Sequence, residues 1–151
     1  MIMREKILLL VEDNPKDEAL TLRALRTQNF QNTVVVVRDG VEALEYLLGG
    51  EDEDSGSERP LPELVLLDLK LPKIDGLEVL RRIRAADRTR FLPVVILTSS
   101  VEEIDLLAGY RLGTNSYVRK PVDFLEFNEV VRQLGLYWLV LNRPPPVSEI
   151  Y

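Results

Sequence analysis

Short, continuously apolar runs alternate along this chain with segments of helical periodicity. The runs are residues 7–11 (ILLLV), 34–37 (VVVV), 64–67 (LVLL), 94–97 (VVIL) and 116–118 (SYV). Each is too short for a stable helix and reads as a strand. The first four carry no polar interruption, as strands covered on both faces should. Between them, Val41, Leu44 and Leu48 share one helical face, as do Leu77, Leu80 and Ile83, and Val101, Ile104 and Ala108. Start signals precede these segments: Asn14 followed by Pro15, Asp39-Gly40, Asp75-Gly76 and Ser100. Five β–α repeats with short links predict an α/β domain, a doubly wound five-stranded parallel sheet with helices on both faces. Periodicity leaves the strand order open.

Two stretches depart from this pattern. Residues 49–62 (GGEDEDSGSERPLP) have almost no apolar content and read as a surface loop. Glu51, Asp52, Glu53, Asp54 and Glu58 against Arg59 give this loop a net charge of −4 out of the chain's −6. A solubilising insertion is the simplest reading of it. Near the end, Phe124, Phe127, Val131, Leu134, Trp138 and Leu141 form one apolar stripe, and residues 136–141 (LYWLVL) are apolar on every side. A helix of that kind expects burial all round, which one domain body cannot supply. Tyr137, Trp138, Leu139 and Val140 are therefore expected to meet a second chain, in a C₂ homodimer. Residues 142–151, with Pro144-Pro145-Pro146, read as an extended tail.

Composition narrows the chemistry. The chain has 151 residues, no cysteine and no histidine, which excludes thiol nucleophiles, thiolate or imidazole metal sites and a Ser-His-Asp triad. An acidic chain without a basic block is not expected to bind nucleic acid. No segment has the length and apolarity of a membrane span, and run 7–11 is too short for a signal sequence, so a cytoplasmic location is expected.

In an open α/β sheet, ligands gather at the carboxyl ends of the strands. Those ends carry Glu12 and Asp13, Asp68, Thr98, and Lys120-Pro121. Singly, each has a plain structural reading: Asp13 as a helix cap, Thr98 as a β-former, Lys120 as a solvated charge. Asp39 and Asp75 are read as caps. Jointly, three carboxylates on one edge need neutralisation, which Lys120 and a hard divalent cation such as Mg²⁺ would provide.

These residues sit within four motifs: Leu9-Leu10-Val11-Glu12-Asp13-Asn14; Leu66-Leu67-Asp68-Leu69-Lys70-Leu71-Pro72 with Asp75-Gly76; Pro93-Val94-Val95-Ile96-Leu97-Thr98; and Tyr117-Val118-Arg119-Lys120-Pro121. In this order they resemble the receiver domain of bacterial two-component response regulators, over residues 5–135. The resemblance implies a flavodoxin-like receiver fold with strand order 2-1-3-4-5, here read over residues 5–141; the roughly thirty residues after Lys120 leave room for one helix and a tail, so no effector domain is expected. It implies that Asp68 accepts a phosphoryl group from a sensor histidine kinase. Mg²⁺ would be held by Glu12, Asp13, Asp68 and the backbone carbonyl of Lys70. Thr98 and Lys120 would contact the phosphoryl oxygens, Thr98 and Tyr117 would form the switch, and a cis peptide would join Lys120 to Pro121. The missing histidine is no obstacle, because the family takes it from the kinase. Lys70 is often uncharged in relatives, so a cation there is expected to alter phosphoryl lifetime.

The Leu-Pro-Lys-x-Asp-Gly run, the acidic loop and the Tyr-Trp-Leu ending resemble most the stand-alone regulators of bacterial and cyanobacterial phytochromes, which tend to dimerise. Two other readings fit these residues less well. An Asp-nucleophile phosphatase would want a second carboxylate two residues after Asp68, where Lys70 stands. A binding module that is never phosphorylated would not need every chemical role in the site filled.

Overall fold

Alternation along the strands sorts the apolar side chains into two cores, one on each face of a single sheet. The computed structural model describes residues 6–28, 30, 32–49 and 60–146. Five parallel strands, β1 (Lys6–Val11), β2 (Asn32–Val37), β3 (Leu64–Leu67), β4 (Val94–Thr98) and β5 (Ser116–Arg119), stand in the order β2-β1-β3-β4-β5. The helices are α1 (Pro15–Arg26), α2 (Gly40–Leu48), α3 (Gly76–Ala85), α4 (Glu103–Arg111) and α5 (Phe124–Gly135), and a π-helical turn, Leu136–Leu141, continues α5. On one face Leu9, Val11, Val65, Leu67, Val94 and Ile96 pack against α2 and α3. On the other, Leu8, Leu10, Leu64, Leu66, Val95 and Leu97 meet α1, α5 and Leu139. Burial on both sides explains the unbroken apolar runs of β1, β3 and β4. Strand β2 departs from that expectation. It lies at the sheet edge, and of its residues only Val37 is fully buried.

Helix starts follow local hydrogen bonding. Asn14 Oδ1 accepts from the Lys16 and Asp17 amides, with Pro15 in the first turn. Asp39 and Asp75 accept from Glu42 and Glu78 amides at 2.8 and 2.9 Å, as caps should. Ser100 does not cap α4, which begins at Glu103. Its hydroxyl donates to Asp105 Oδ2 at 2.6 Å and turns the chain ahead of the helix.

Three predicted faces are shifted or exposed. In α2 the buried side chains are Ala43, Leu44 and Leu47, while Leu48 is partly exposed. Val101 lies ahead of α4 and outside it, and both it and Ile104 within α4 lie on the surface with Leu107 and Tyr110, while Gly109 is the one residue of that helix that is fully buried. The C-terminal stripe is rephased. Phe127, Val131, Gly135 and Leu139 face the core, while Phe124 and Leu141 are exposed and Trp138 is half-buried. The cause is the wide turn, closed by the Asn142 amide donating to the Tyr137 carbonyl, which inserts one residue into the helical period. Leu139 therefore belongs to its own domain's core and offers no surface to a partner. Its carbonyl accepts from Lys6 Nζ, tying the turn to the start of β1. Gly135 admits the Phe30 ring, which a Cβ there would strike at 2.5 Å.

Of the acidic loop, residues 50–59 lie outside the described residues, as do residues 147–151 of the tail. Residues 142–146 are neither helix nor strand.

Candidate functional site

Parallel register assembles the site. Val11 pairs with Leu67, so Glu12 and Asp68 leave neighbouring strands at the same level. Leu67 pairs with Ile96, and Thr98 with Arg119, which places Thr98 and Lys120 along the same edge. The strand-end backbones stay bonded past the strands: the Asp68 amide donates to the Val11 carbonyl at 3.1 Å and the Lys120 amide to the Thr98 carbonyl at 2.7 Å. Gly76 brings α3 against the end of β3, its amide donating to the Leu69 carbonyl at 2.8 Å.

Lys120 is the hub. Its ammonium lies 2.7 Å from Glu12 Oε1, 2.9 Å from Asp17 Oδ2 and 3.1 Å from Asp68 Oδ2. The side chains of Lys120, Glu12 and Asp68 are all buried. Asp68 Oδ1 accepts from the Leu69 amide at 2.7 Å, and Glu12 Oε2 from the Asn14 amide at 3.2 Å. Asp17 was not among the residues picked from the sequence. It sits in the first turn of α1, where acidic residues are ordinary complements to the helix dipole, so nothing in the pattern marked it.

One ammonium serves several carboxylates, and both kinds of group respond. Burial pushes the Glu12 carboxyl up to about 7, with the charge on Asp68 adding to it and the hydrogen bond from Lys120 opposing it. Burial alone would depress Lys120, but its bonds to Glu12 and Asp17 and the charge on Asp68 hold it protonated above the usual lysine range. In the unfolded chain Glu12 titrates near 4.5. Between these values the folded state binds the extra proton, so stability falls as pH rises through this window, by on the order of 2 kcal/mol. Urea unfolding of the metal-free protein at about pH 5 and about pH 8 should show this decline, and Glu12→Gln should reduce it. An equal pH dependence in wild type and variant would show that Glu12 is not its source.

Carboxylate oxygens of Glu12, Asp13 and Asp68 all lie within 4.8 Å of one another, with Asp13 exposed to solvent. Opposite ligands of an octahedral Mg²⁺ stand about 4.2 Å apart, given bonds of about 2.1 Å. The three oxygens thus fit one hard cation after a small contraction, with the exposed side left for waters.

Thr98 is fully buried, its hydroxyl accepting from the Ser100 amide at 3.3 Å. The Tyr117 ring packs inward beside Ile96 in space left by Gly109, and a Cβ at Gly109 would lie 3.0 Å from Ile96 Cδ1 and 3.3 Å from the Tyr117 ring. Its hydroxyl is enclosed near Ser100 without a hydrogen bond of normal geometry, and burial raises its pKa. The Lys70 side chain is exposed. The Lys120–Pro121 bond is trans, since no cis peptide occurs among the described residues, contrary to expectation. Trans is the intrinsic preference of such bonds, and Lys120 reaches Glu12, Asp17 and Asp68 with the bond in that form. No described helix is long and apolar enough to cross a membrane.

Residues 8–132 match the response regulator receiver domain family. Among curated proteins, the chain is 44% identical to the probable methanogenesis regulatory protein FilR2 of Methanothrix harundinacea, covering 92% of this chain and 87% of that one. Among solved structures it is similar to the phosphorylated cyanobacterial phytochrome response regulator RcpA, with TM-score 0.87 and 36% identity over 95% of this chain and 100% of that one. It is also similar to the bacteriophytochrome response regulator RtBRR, with 50% identity, TM-score 0.72, and 96% and 87% coverage. The fold, the strand-end acidic cluster and these likenesses agree: the chain belongs to the response regulator receiver family and is related to the phytochrome-associated regulators.

Proposed function

We propose that Asp68 accepts a phosphoryl group from the phosphohistidine of a sensor histidine kinase. The observation that carries this reading is a buried carboxylate at the end of β3, held by one backbone amide and one ammonium, with two further carboxylates in reach. In the transfer, an Asp68 oxygen bonds to phosphorus as the phosphorus–nitrogen bond to the kinase histidine breaks. A carboxylate nucleophile needs no separate general base. Such transfers depend on position and on neutralising charge spread over the phosphoryl oxygens. Glu12, Asp13, Asp68 and the Lys70 carbonyl would hold Mg²⁺, which supplies part of that neutralisation when bound. Lys120 supplies another positive charge, and Thr98 donates its hydroxyl to a phosphoryl oxygen. As Thr98 moves, Tyr117 follows, coupling the covalent state of Asp68 to the α4–β5 surface. Activity is confined to this self-phosphorylation and its Mg²⁺-dependent reversal by water.

The likeness to RcpA and RtBRR supports a phytochrome-type kinase as donor. Output passes by protein contact, with Tyr137, Trp138 and Val140 around the π-helical turn as a homodimer face. Tyr137 and Val140 are each about half exposed (50% and 48%), and Trp138 packs edge-on against Tyr137. Sedimentation at micromolar concentration should give a dimer that Tyr137→Glu dissociates. A monomer in both phosphorylation states would remove the dimer from this reading. Label from an autophosphorylated bacteriophytochrome kinase should pass to the wild type and not to Asp68→Asn. Transfer to both would place the acceptor elsewhere.

A further inference from the structure

The Lys120 ammonium has three protons and faces three carboxylates, and each carboxylate has a different fate in the proposed reaction. Glu12 would serve a bound cation, and Asp68 would exchange its own charge for that of the phosphoryl group. Asp17 is the partner that the reaction leaves untouched. Lys120 follows β5, while Asp68 ends β3 on the far side of β4, so a flexible four-carbon stem must span the strand between them. Glu12 and Asp68 approach from neighbouring strand ends. Asp17 approaches from α1, where its amide is fixed to Asn14 Oδ1 at 3.1 Å and its carbonyl accepts from Thr21 Oγ1 at 2.8 Å. Its side chain is 22% exposed and sets an oxygen 2.9 Å from the ammonium.

We infer that Asp17 is a positioning residue for Lys120, holding the ammonium over Asp68 from the helix side while the other two carboxylates change partners. For phosphotransfer this rests on Asp68 being the acceptor; the contact itself does not. A first-turn acid serving only the helix dipole would affect stability slightly and Lys120 not at all.

Two measurements on the full chain separate these roles. The first is the ¹⁵N-ammonium resonance of Lys120, assigned with Lys120→Arg, in the absence of metal and phosphodonor. It should persist in the wild type and in Asp17→Asn, which keeps an acceptor oxygen, and vanish into fast exchange in Asp17→Ala. The second is phosphoryl uptake from acetyl phosphate at saturating Mg²⁺. Uptake should fall roughly tenfold in Asp17→Ala and stay within about threefold in Asp17→Asn, with the half-saturating Mg²⁺ concentration unchanged in both. The inference is overturned by any of four results: a Lys120 resonance missing from the wild type, a resonance retained in Asp17→Ala, uptake by Asp17→Ala at or above the wild-type rate, or equal losses in the two variants. A wild type that takes up no phosphoryl group from donor or kinase would defeat the acceptor reading, and the resonance would still decide the contact.

Discussion

Lys120→Met is expected to destabilise the metal-free protein by about 3 kcal/mol and to slow phosphoryl uptake by about a hundredfold. Methionine nearly matches the volume of the lysine stem, so the loss reflects charge more than a cavity. The side chains of Lys120, Glu12 and Asp68 are 6%, 3% and 7% exposed. At that burial the interaction belongs with buried pairs, where removing one partner is costly, and not with surface pairs worth about 0–1 kcal/mol. Without the ammonium, the carboxylates of Glu12, Asp17 and Asp68 repel one another across a few ångströms. The deficit should therefore shrink as pH falls toward about 5 and the Glu12 carboxyl, raised to about 7 by burial, takes up a proton. It should also shrink in Lys120→Met/Asp68→Asn, which removes one of the stranded charges. Chemical denaturation of the wild type, Lys120→Met and the double variant at two pH values measures all of this. A single variant as stable as the wild type would mean that the cluster is solvated and that Lys120 does not hold it together.

Gly76→Ala is the second large effect, a loss of about 3 kcal/mol with Asp68 displaced from its partners. A Cβ at this position would lie 2.3 Å from the Asp68 carbonyl oxygen and 2.6 Å from Leu69 Cα. Both are backbone atoms and neither can rotate away. The gain in helix propensity from Gly to Ala, about 1 kcal/mol in a helix interior, is too small to offset that clash at the first position of α3. Gly109→Ala is the control. Its new methyl would meet the end of the Ile96 side chain at 3.0 Å, and a side-chain terminus can give by a few tenths of an ångström. That variant should stay within about 1 kcal/mol of the wild type by thermal denaturation. If Gly76→Ala proved equally mild, the approach of α3 to the end of β3 would not be what sets Asp68.

The sheet and most of its edge chemistry were legible because both follow from local rules. Runs such as LVLL are unbroken because both faces of the sheet are covered, and a parallel sheet brings its strand ends to one edge. Glu12, Asp68, Thr98 and Lys120 could thus be placed together before their distances were known. Asp17 could not, because an acid in the first turn of a helix looks the same whether it serves the dipole or reaches across to a lysine. Leu139 was misplaced for a different reason. A stripe drawn at α-helical period assumes a constant turn, and the π-helical turn after Gly135 shifts the phase so that Leu139 goes inward where Trp138 was expected. The face of α4 failed because Val101 and Ile104 have the right spacing but lie on the surface. Spacing identifies a common face; it does not supply something for that face to pack against.

The most direct test is intact mass after incubation with Mg²⁺ and a small phosphodonor, beside the same protein without Mg²⁺ and beside Asp68→Asn. One phosphoryl adduct should form on the wild type in the presence of Mg²⁺ and in neither control. An adduct that survives in Asp68→Asn, or a wild type that stays unmodified with both this donor and a phosphorylated kinase, would contradict Asp68 as the acceptor.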